Sequence, residues 1–316
     1  ESGVCAAGAS PASEQDLPIL FNEYCTIWGV PAHENIVKIL DAIRGKGISY
    51  FVIDCGWYKA DGVHWGVSRR DYIPSSTFFT EGQEKTVEAI RAEGLKAGIW
   101  FEIENVSPAS AAYHETEHLL HLDSAVLTTN GHRFWNMADS WVQDYLRGRV
   151  IGILQKYGFD YMKIDYNDTI GIGCDGAESP DEGLRRNMMA TMDFLAEVKR
   201  KSSASSWKTE PPAAIGWSRA SWQQRAWPPS STRTSAGDPD HRCQSAPGYP
   251  ALPESDLAVI RKTDSCKCIT YSLASTFLGR KCLSGDITEL SSDAQWAVIK
   301  AAIAVYRRIA LITCDG

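Results

Sequence analysis

The sequence Tyr-Met-Lys-Ile-Asp-Tyr-Asn at residues 161–167 decides the fold prediction for this chain of 316 residues. It predicts a short buried strand that carries Lys163, Asp165 and Asn167 to its C-terminal end. Strand side chains alternate between faces, so these three polar groups share one face and the intervening apolar residues share the other. Because burying unpaired polar groups costs several kcal/mol each, the three must meet water or line a site. An ion pair that caps the strand end is the alternative that this stretch alone leaves open.

Strands and helices alternate on both sides of this stretch. Strands are predicted at 18–22, 50–54, 97–102 and 161–165, and helices at 34–44, 85–93, 141–157 and 183–201. The four strands end in Asn, Asp, Glu and Asp, and polar residues at successive strand ends are what the active face of a (β/α)₈ barrel requires. A doubly wound sheet would also alternate, but no Gly-rich phosphate loop follows the first strands. The predicted fold class is therefore α/β, a (β/α)₈ TIM barrel.

Composition excludes several classes of partner. The formal charge of −7 gives no basic surface for nucleic acid, and no run is apolar enough to span a membrane. The nine cysteines are scattered without zinc-site spacing, which predicts no metal, and they favour reduced thiols in a cytoplasmic protein. No organic cofactor is expected either. Eleven Trp and twelve Tyr fit a protein that stacks aromatic rings on sugars, although an aromatic core would give the same numbers.

One segment departs from the barrel pattern. From residue 202 to 251 the chain has no Leu, Val, Phe or Met and only one Ile. Barrel strands buried on both faces need such residues, and a flexible linker would not carry the four Trp found there. The ordinary pattern resumes after about residue 256, and it includes an apolar helix at 294–312. Segment 202–255 is therefore predicted to be anomalous and the barrel incomplete or disordered there.

Four motifs in chain order resemble glycoside hydrolase family 36, in particular its bacterial α-galactosidases. They are Asn22-Glu-Tyr, Asp54-Cys-Gly-Trp57, Gly98-Ile-Trp-Phe-Glu-Ile-Glu104 and Lys163-Ile-Asp-Tyr-Asn167. The resemblance covers roughly residues 17–200 and 256–312. It implies a catalytic barrel over 17–316, with 1–16 as a linker from a missing N-terminal β-sandwich. It also implies retaining hydrolysis of terminal α-linked galactose from oligosaccharides, and it leaves open a homo-oligomer of the full-length protein.

The resemblance also implies roles for individual residues. Asp165 would be the nucleophile, and Lys163 would hold a sugar hydroxyl and keep Asp165 ionised. Cys55 stands where the family often has a second acid beside Asp54, while Glu102 and Glu104 are expected to support the site rather than to react. The residues predicted to bind substrate are Asp54, Trp57, Trp100, Arg133, Lys163 and Asn167.

The acid/base carboxyl of the retaining mechanism is not identifiable in the sequence. The family resemblance places it opposite Thr232, inside the anomalous segment. Shifting the reading frame by one base over parts of 204–255 restores family-like strands and an Asp near that position. Our hypothesis is that a base-calling or insertion–deletion artefact altered this segment. The chain as written would then lack about two barrel strands and the proton donor, and its activity would be impaired.

Three further functions remain open. An α-N-acetylgalactosaminidase or a transglycosylase that makes raffinose-type sugars would share the nucleophile and differ in the surrounding pocket. A carbohydrate-binding pseudoenzyme would keep the sugar-binding residues without the acid/base. Resequencing the coding DNA separates the enzymes from the pseudoenzyme, because a restored frame favours the former and a confirmed frame favours the latter.

Overall fold

The computed structural model describes residues 18–59, 62–68, 71–204, 214–217, 255–277, 280–290 and 292–313. The linker predicted at 1–16 and most of the anomalous segment, including Thr232, lie outside these ranges. No helix within them is long and apolar enough to cross a membrane.

A parallel sheet with seven strands organises the described part of the chain. Its strands in chain order are β1 (Leu20–Asn22), β2 (Tyr50–Ile53), β3 (Lys96–Phe101), β9 (Tyr161–Ile164), β10 (Ala214–Trp217), β11 (Ser255–Ile260) and β12 (Arg280–Gly285). Their spatial order is β10-β9-β3-β2-β1-β12-β11. Parallel neighbours that follow the chain order, with the last strand beside the first, give the topology of a (β/α)₈ barrel. The predicted fold class is confirmed, and the described sheet is not closed, because β10 and β11 each pair with one neighbour.

Helices fill most of the crossovers between these strands. They are α1 (Tyr24–Ile27), α2 (His33–Ile43), α3 (Gln83–Ala92), α4 (Ser140–Leu146), α5 (Gly152–Tyr157), α6 (Pro180–Ala204), α7 (Cys266–Ala274) and α8 (Asp293–Thr313). The single helix predicted at 141–157 is wrong in one respect, since a π-helical turn at Arg147–Ile151 separates α4 from α5. The turn contains Gly148 and is followed by Gly152, and the low helix propensity of these glycines lets the wider turn form.

The expectation that the anomalous segment contributes no barrel strand is wrong at one place. Strand β10 forms inside the anomalous segment, at the stretch that contains its only Ile. It pairs in parallel with β9, with Gly216 opposite Lys163. Seven strands of an eight-stranded barrel are therefore described, and residues 218–254 between β10 and β11 are outside the described ranges.

The barrel strands bury both of their faces. Outward-facing side chains such as Phe51, Ile99 and Met162 pack with the helices in the main core. A second, smaller cluster fills the interior, and its members are Leu20, Tyr50, Val52, Tyr161 and Cys282. Gly98 makes room there, because a Cβ at this position would lie 2.9 Å from the Tyr161 ring. The side chains of this cluster thus fill the barrel interior and form its floor below the C-terminal strand ends.

A small antiparallel sheet covers part of the C-terminal face between β3 and α4. It consists of β4 (Asn105–Val106), β7 (Thr128–Thr129) and β8 (His132–Phe134), in the order β4-β8-β7. A hairpin of β5 (His121–Leu122) and β6 (Ala125–Val126) lies between β4 and β7 in the chain. These strands of two or three residues are too short to give a pattern in the sequence, and we did not expect them.

Candidate active site

The ends of β1, β2 and β9 bring Asn22, Asp54 and Lys163 together. The Lys163 Nζ donates a hydrogen bond to Asp54 Oδ2 at 2.7 Å, and the Asn22 amide donates to the same oxygen. The other oxygen, Asp54 Oδ1, accepts the backbone N–H of Cys55 at 2.8 Å. Asp54 is 2% exposed, so this carboxylate is held by three donors in a nearly dry site.

Asp165 follows β9 and is half-buried. Its Oδ2 accepts the indole N–H of Trp100 at 3.1 Å, and its Oδ1 accepts the backbone N–H of Tyr166 at 3.0 Å. The backbone N–H of Asp165 continues the sheet by donating to Phe101 at 2.9 Å. Both carboxylate oxygens are therefore oriented by neutral donors, and the group keeps access to solvent.

The alternation expected along 161–167 is visible in the burial pattern. Lys163 and Asp165 are half-buried and Asn167 is exposed, whereas Met162, Ile164 and Tyr166 are buried. Burial alone would lower the pKa of the Lys163 ammonium, but the carboxylates of Asp54 and Asp165 outweigh it and raise that pKa above its ordinary value. Lys163 is thus a permanent cation between two acids.

Glu102 ties the loop after β9 to the end of β3. Its Oε1 accepts the backbone N–H of Asn167 at 2.9 Å, and its Oε2 accepts the Asn167 side-chain amide at 2.8 Å. Asn105 donates to the same carboxylate. Glu104 is turned toward α6, where the hydroxyl of Thr191 donates to it at 2.8 Å. Through these hydrogen bonds Glu102 holds the loop after β9 and Glu104 holds α6.

The two tryptophans expected at the sugar are buried. Trp57 is 0% and Trp100 1% exposed, and the Trp57 indole donates to the Trp100 carbonyl at 2.9 Å. Tyr58 stacks on Trp100 and Tyr72 on Trp57. Trp100 reaches the site through its N–H on Asp165 rather than through an exposed ring face. Its contact with the site is polar, which the sequence alone did not suggest.

Arg133 lies on β8, in the small antiparallel sheet. It donates to the Tyr113 carbonyl at 2.6 Å, and its guanidinium carbon lies 4.0 Å from the centre of the Tyr113 ring. Within the described ranges, the structure records no hydrogen bond from Arg133 to Asp54 or Lys163. The structure therefore places six of the seven predicted site residues around one region, and Arg133 on the small antiparallel sheet, against Tyr113.

Glu23 is a residue that the sequence reasoning missed. It is 0% exposed, and its Oε1 accepts the backbone N–H of Asp54 at 2.8 Å. Burial first, and then the Asp54 charge, raise the pKa of this carboxyl well above its ordinary range. The signal was available, because Glu23 follows Asn22 directly at a strand end, where polar residues are site candidates.

The thiols of Cys25, Cys55 and Cys282 lie near the Asp54–Lys163 pair. Burial raises the pKa of Cys282 to about 12, and burial followed by the Asp54 charge raises the pKa of Cys55 well above its ordinary value. Burial also raises the pKa of Cys25. All three remain neutral thiols at physiological pH. In the described part of the chain no group of three or more His, Cys, Asp or Glu side chains could hold a metal ion.

Comparison with known proteins places this geometry in a family. The melibiase family matches residues 9–208. The probable α-galactosidase C of Aspergillus terreus is 30% identical over 171 residues, which is 49% of this chain and 22% of that protein. The α-galactosidase Mel36A of Lactobacillus acidophilus is 25% identical over 196 residues, 60% of this chain and 26% of that protein.

A solved structure shows the same fold. The GH36 α-galactosidase AgaA A355E of Geobacillus stearothermophilus, in complex with 1-deoxygalactonojirimycin, aligns with a TM-score of 0.69 at 19% identity. The alignment covers 95% of this chain and 43% of that one. This chain thus corresponds to well under half of its larger relatives. Since the family match spans most of the chain and includes the strands that carry Asp54 and Lys163, the chain belongs to the melibiase family, whose relatives found here are α-galactosidases.

Proposed function

We propose that this chain carries the nucleophile and the sugar-binding carboxylate of a retaining α-galactosidase. The observation that supports this most directly is the arrangement of Lys163 between Asp54 and Asp165. One acid is desolvated and fully paired, and the other is half-exposed and oriented by neutral donors. Two carboxylates in different environments are suited to two different roles.

Asp165 acts as the nucleophile in this proposal. Its carboxylate attacks the anomeric carbon of galactose while the bond from that carbon to the leaving oxygen breaks. The Trp100 and Tyr166 N–H groups fix the plane of the carboxylate. Water then hydrolyses the glycosyl ester and regenerates Asp165, so the configuration at the anomeric carbon is retained.

Lys163 and Asp54 bind the hydroxyls of the galactose ring. The ammonium donates to a hydroxyl oxygen, and the carboxylate accepts hydroxyl protons, so the pair offers both halves of a hydrogen-bond pattern. Asn167 lies beside them, exposed and fixed by Glu102. Relatives from Geobacillus stearothermophilus have been solved with raffinose and with stachyose, and we propose oligosaccharides of this kind as substrates.

The leaving oxygen needs a proton from a second carboxyl, which we place near Thr232 in the restored reading frame. Loss of general acid catalysis alone costs on the order of 10² to 10⁴ in rate, so the chain as written is expected to turn over little. The first step is therefore to resequence codons 200–258 and express the full-length protein with the corrected frame. We call this the frame-corrected protein.

The proposal is tested by Asp165→Asn in the frame-corrected protein, assayed on p-nitrophenyl α-galactoside. We expect activity to fall to background, because an amide cannot form the glycosyl ester. Asp144→Asn is the matched control, since Asp144 is an exposed acid on α4 that pairs with Arg147. Full activity in the Asp165 variant would contradict the assignment.

A carbohydrate-binding protein without turnover is the second candidate. It is favoured by the acids of the anomalous segment, Glu210, Asp238, Asp240 and Glu254, none of which stands in a family-like motif. A confirmed reading frame, galactose binding measured by calorimetry and no hydrolysis would establish this candidate. An assay on p-nitrophenyl α-N-acetylgalactosaminide detects α-N-acetylgalactosaminidase activity. An assay with a galactose donor and a sugar acceptor detects transglycosylase activity.

A further inference from the structure

Glu23 lies directly behind the sugar-binding acid. Its side chain is completely buried at the junction of β1 and α1. Oε1 accepts the Asp54 N–H at 2.8 Å, and Oε2 makes no hydrogen bond within the described part of the chain. A buried carboxylate with only one neutral donor would be strongly destabilised, whereas an un-ionised carboxylic acid is tolerated there.

The two neighbouring acids differ in the number of hydrogen-bond donors that surround their carboxyl groups. Asp54 accepts from Lys163, from Asn22 and from the Cys55 N–H. These donors stabilise its anion, and among the described residues no comparable set of donors surrounds Glu23. When two neighbouring carboxyls differ in this way, the one with more donors ionises and the other keeps its proton.

We infer that Glu23 is a positioning residue which, as an un-ionised acid, holds the Asp54 backbone and keeps the Asp54–Lys163 pair in its sugar-binding state. The inference rests on the proposed function, because it takes Asp54 and Lys163 as the galactose-binding groups. Glu23 itself is too deeply buried to touch a substrate. It acts through Asp54, so it is not a candidate for the missing proton donor.

Ionisation of Glu23 would add a second negative charge next to Asp54. The charged and titratable groups that face it in the described ranges are Asp54 and Cys55 after β2 and Lys163 on β9. The extra charge would draw the Lys163 ammonium away from Asp54 and would repel the Asp54 carboxylate. This disrupts the pair that holds the sugar hydroxyls, so galactose binds the form with neutral Glu23 more tightly.

The direction of the pH effect follows from linkage. Burial and the Asp54 charge raise the pKa of Glu23 in the folded protein above its value in the unfolded chain. The stability that comes from protonated Glu23 is complete below the unfolded pKa and is lost as pH rises through the folded pKa. Galactose affinity should weaken over the same pH range by up to about tenfold per pH unit, since one proton is linked.

The test compares the full chain with Glu23→Gln by titrating galactose calorimetrically from about pH 5 to about pH 9. The amide oxygen of the new side chain still accepts the Asp54 N–H, but the amide does not titrate. We expect wild-type affinity to weaken at the alkaline end and the Glu23→Gln variant to keep its affinity there. Glu23→Ala removes the acceptor and should bind galactose more weakly at every pH.

Asp160→Asn is the matched control. Asp160 lies at the opposite end of β9, where it accepts the Ala97 N–H at 3.0 Å, and burial raises its pKa as well. The Asp160→Asn and Glu23→Gln variants should therefore both lose part of the pH dependence of unfolding by urea. Only the Glu23 substitution should change the pH dependence of galactose affinity.

The outcomes separate this inference from the proposed function. Galactose binding by wild type with the same alkaline weakening in Glu23→Gln would overturn the role of Glu23. The absence of galactose binding by wild type at any pH would overturn the proposed function. In that case the urea data still decide whether Glu23 is un-ionised in the folded chain. If the Glu23→Gln variant does not fold, the pH titration of the Glu23 carboxyl ¹³C shift in wild type decides. Saturating galactose must move the midpoint of this titration to higher pH.

Discussion

Single residues at the strand ends set the chemistry of this site, and the sequence revealed some of them better than others. The alternation along 161–167 correctly separated Lys163 and Asp165 from their buried neighbours. Burial of Trp100 could not be predicted, because it depends on Tyr58 and Trp65, which come from a different crossover. The position of Arg133 against Tyr113 likewise results from a sheet too short to show in the sequence.

Trp100→Phe tests whether the indole N–H positions the nucleophile. Phe keeps an aromatic ring in the core but cannot donate to Asp165. A hydrogen bond to a charged group contributes about 1.5 to 3 kcal/mol, so kcat of the frame-corrected protein should fall about 10- to 100-fold. Trp141→Phe, on the exposed side of α4, is the control and should leave kcat unchanged. An effect on KM alone would instead favour a ring that contacts the sugar.

Lys163→Met tests the cation between the two acids. Removing the ammonium leaves Asp54 without its 2.7 Å partner and removes the positive charge that interacts with the Asp165 anion. We expect kcat/KM on p-nitrophenyl α-galactoside to fall by on the order of 10² or more, with the acidic limb of its pH profile moved to higher pH. Lys156→Met on α5, whose ammonium is at the surface, provides the comparison. An unmoved acidic limb would mean that Lys163 does not influence the reacting acid.

Whole strands and helices were predicted more reliably than their interruptions. β1, β2, β3 and β9 lie within a residue or two of the predicted strands, because continuous apolar runs bounded by Gly and polar residues mark buried parallel strands. The π-helical turn between α4 and α5 was missed, since periodicity alone does not register one extra residue in a turn. β10 was missed because four residues in a segment without other aliphatic side chains carry too little pattern.

Gly98→Ala tests the packing of β3 against β9. The new methyl would lie 2.9 Å from the Tyr161 ring and 3.2 Å from Val52, so the barrel floor must shift. Overpacking of this kind costs about 1 to 3 kcal/mol, and the thermal unfolding midpoint should fall accordingly. Gly148→Ala has no atom within 4 Å of its new methyl and should leave the midpoint unchanged or raise it. Equal midpoints for the two variants would show that the floor is looser than described.

For the molecule as a whole, the order of the strands identifies the barrel, although the described sheet does not close. The order β10-β9-β3-β2-β1-β12-β11 brings the last strand beside the first, as closure requires. Alternating strands and helices predicted this architecture, because each predicted strand ended in a polar residue before the next helix. The chain aligns with 43% of the length of AgaA, so it corresponds to part of this longer relative.

Restoring the reading frame should change the behaviour of the entire barrel. β10 and β11 each have one strand neighbour in the described part of the chain, and open edges expose backbone groups and apolar interior. We expect the chain as written to bind the dye ANS and to unfold over a broad range, and the frame-corrected protein to bind less dye and unfold sharply. Calorimetry and dye fluorescence measure both properties. Equal cooperativity would contradict the frameshift hypothesis.

The hydrogen bond from Trp100 to Asp165 also makes the molecule its own optical reporter. Indole absorption and emission respond to the charge of an atom that accepts a hydrogen bond from the indole, and here that atom belongs to Asp165, the proposed nucleophile. In the proposed mechanism Asp165 changes from anion to ester, and that change would alter the electric field at this indole. Because Tyr58 and Trp65 bury the ring, bulk solvent contributes little to its signal. Difference spectra against Trp100→Phe would therefore follow formation and decay of the proposed covalent intermediate without any added label.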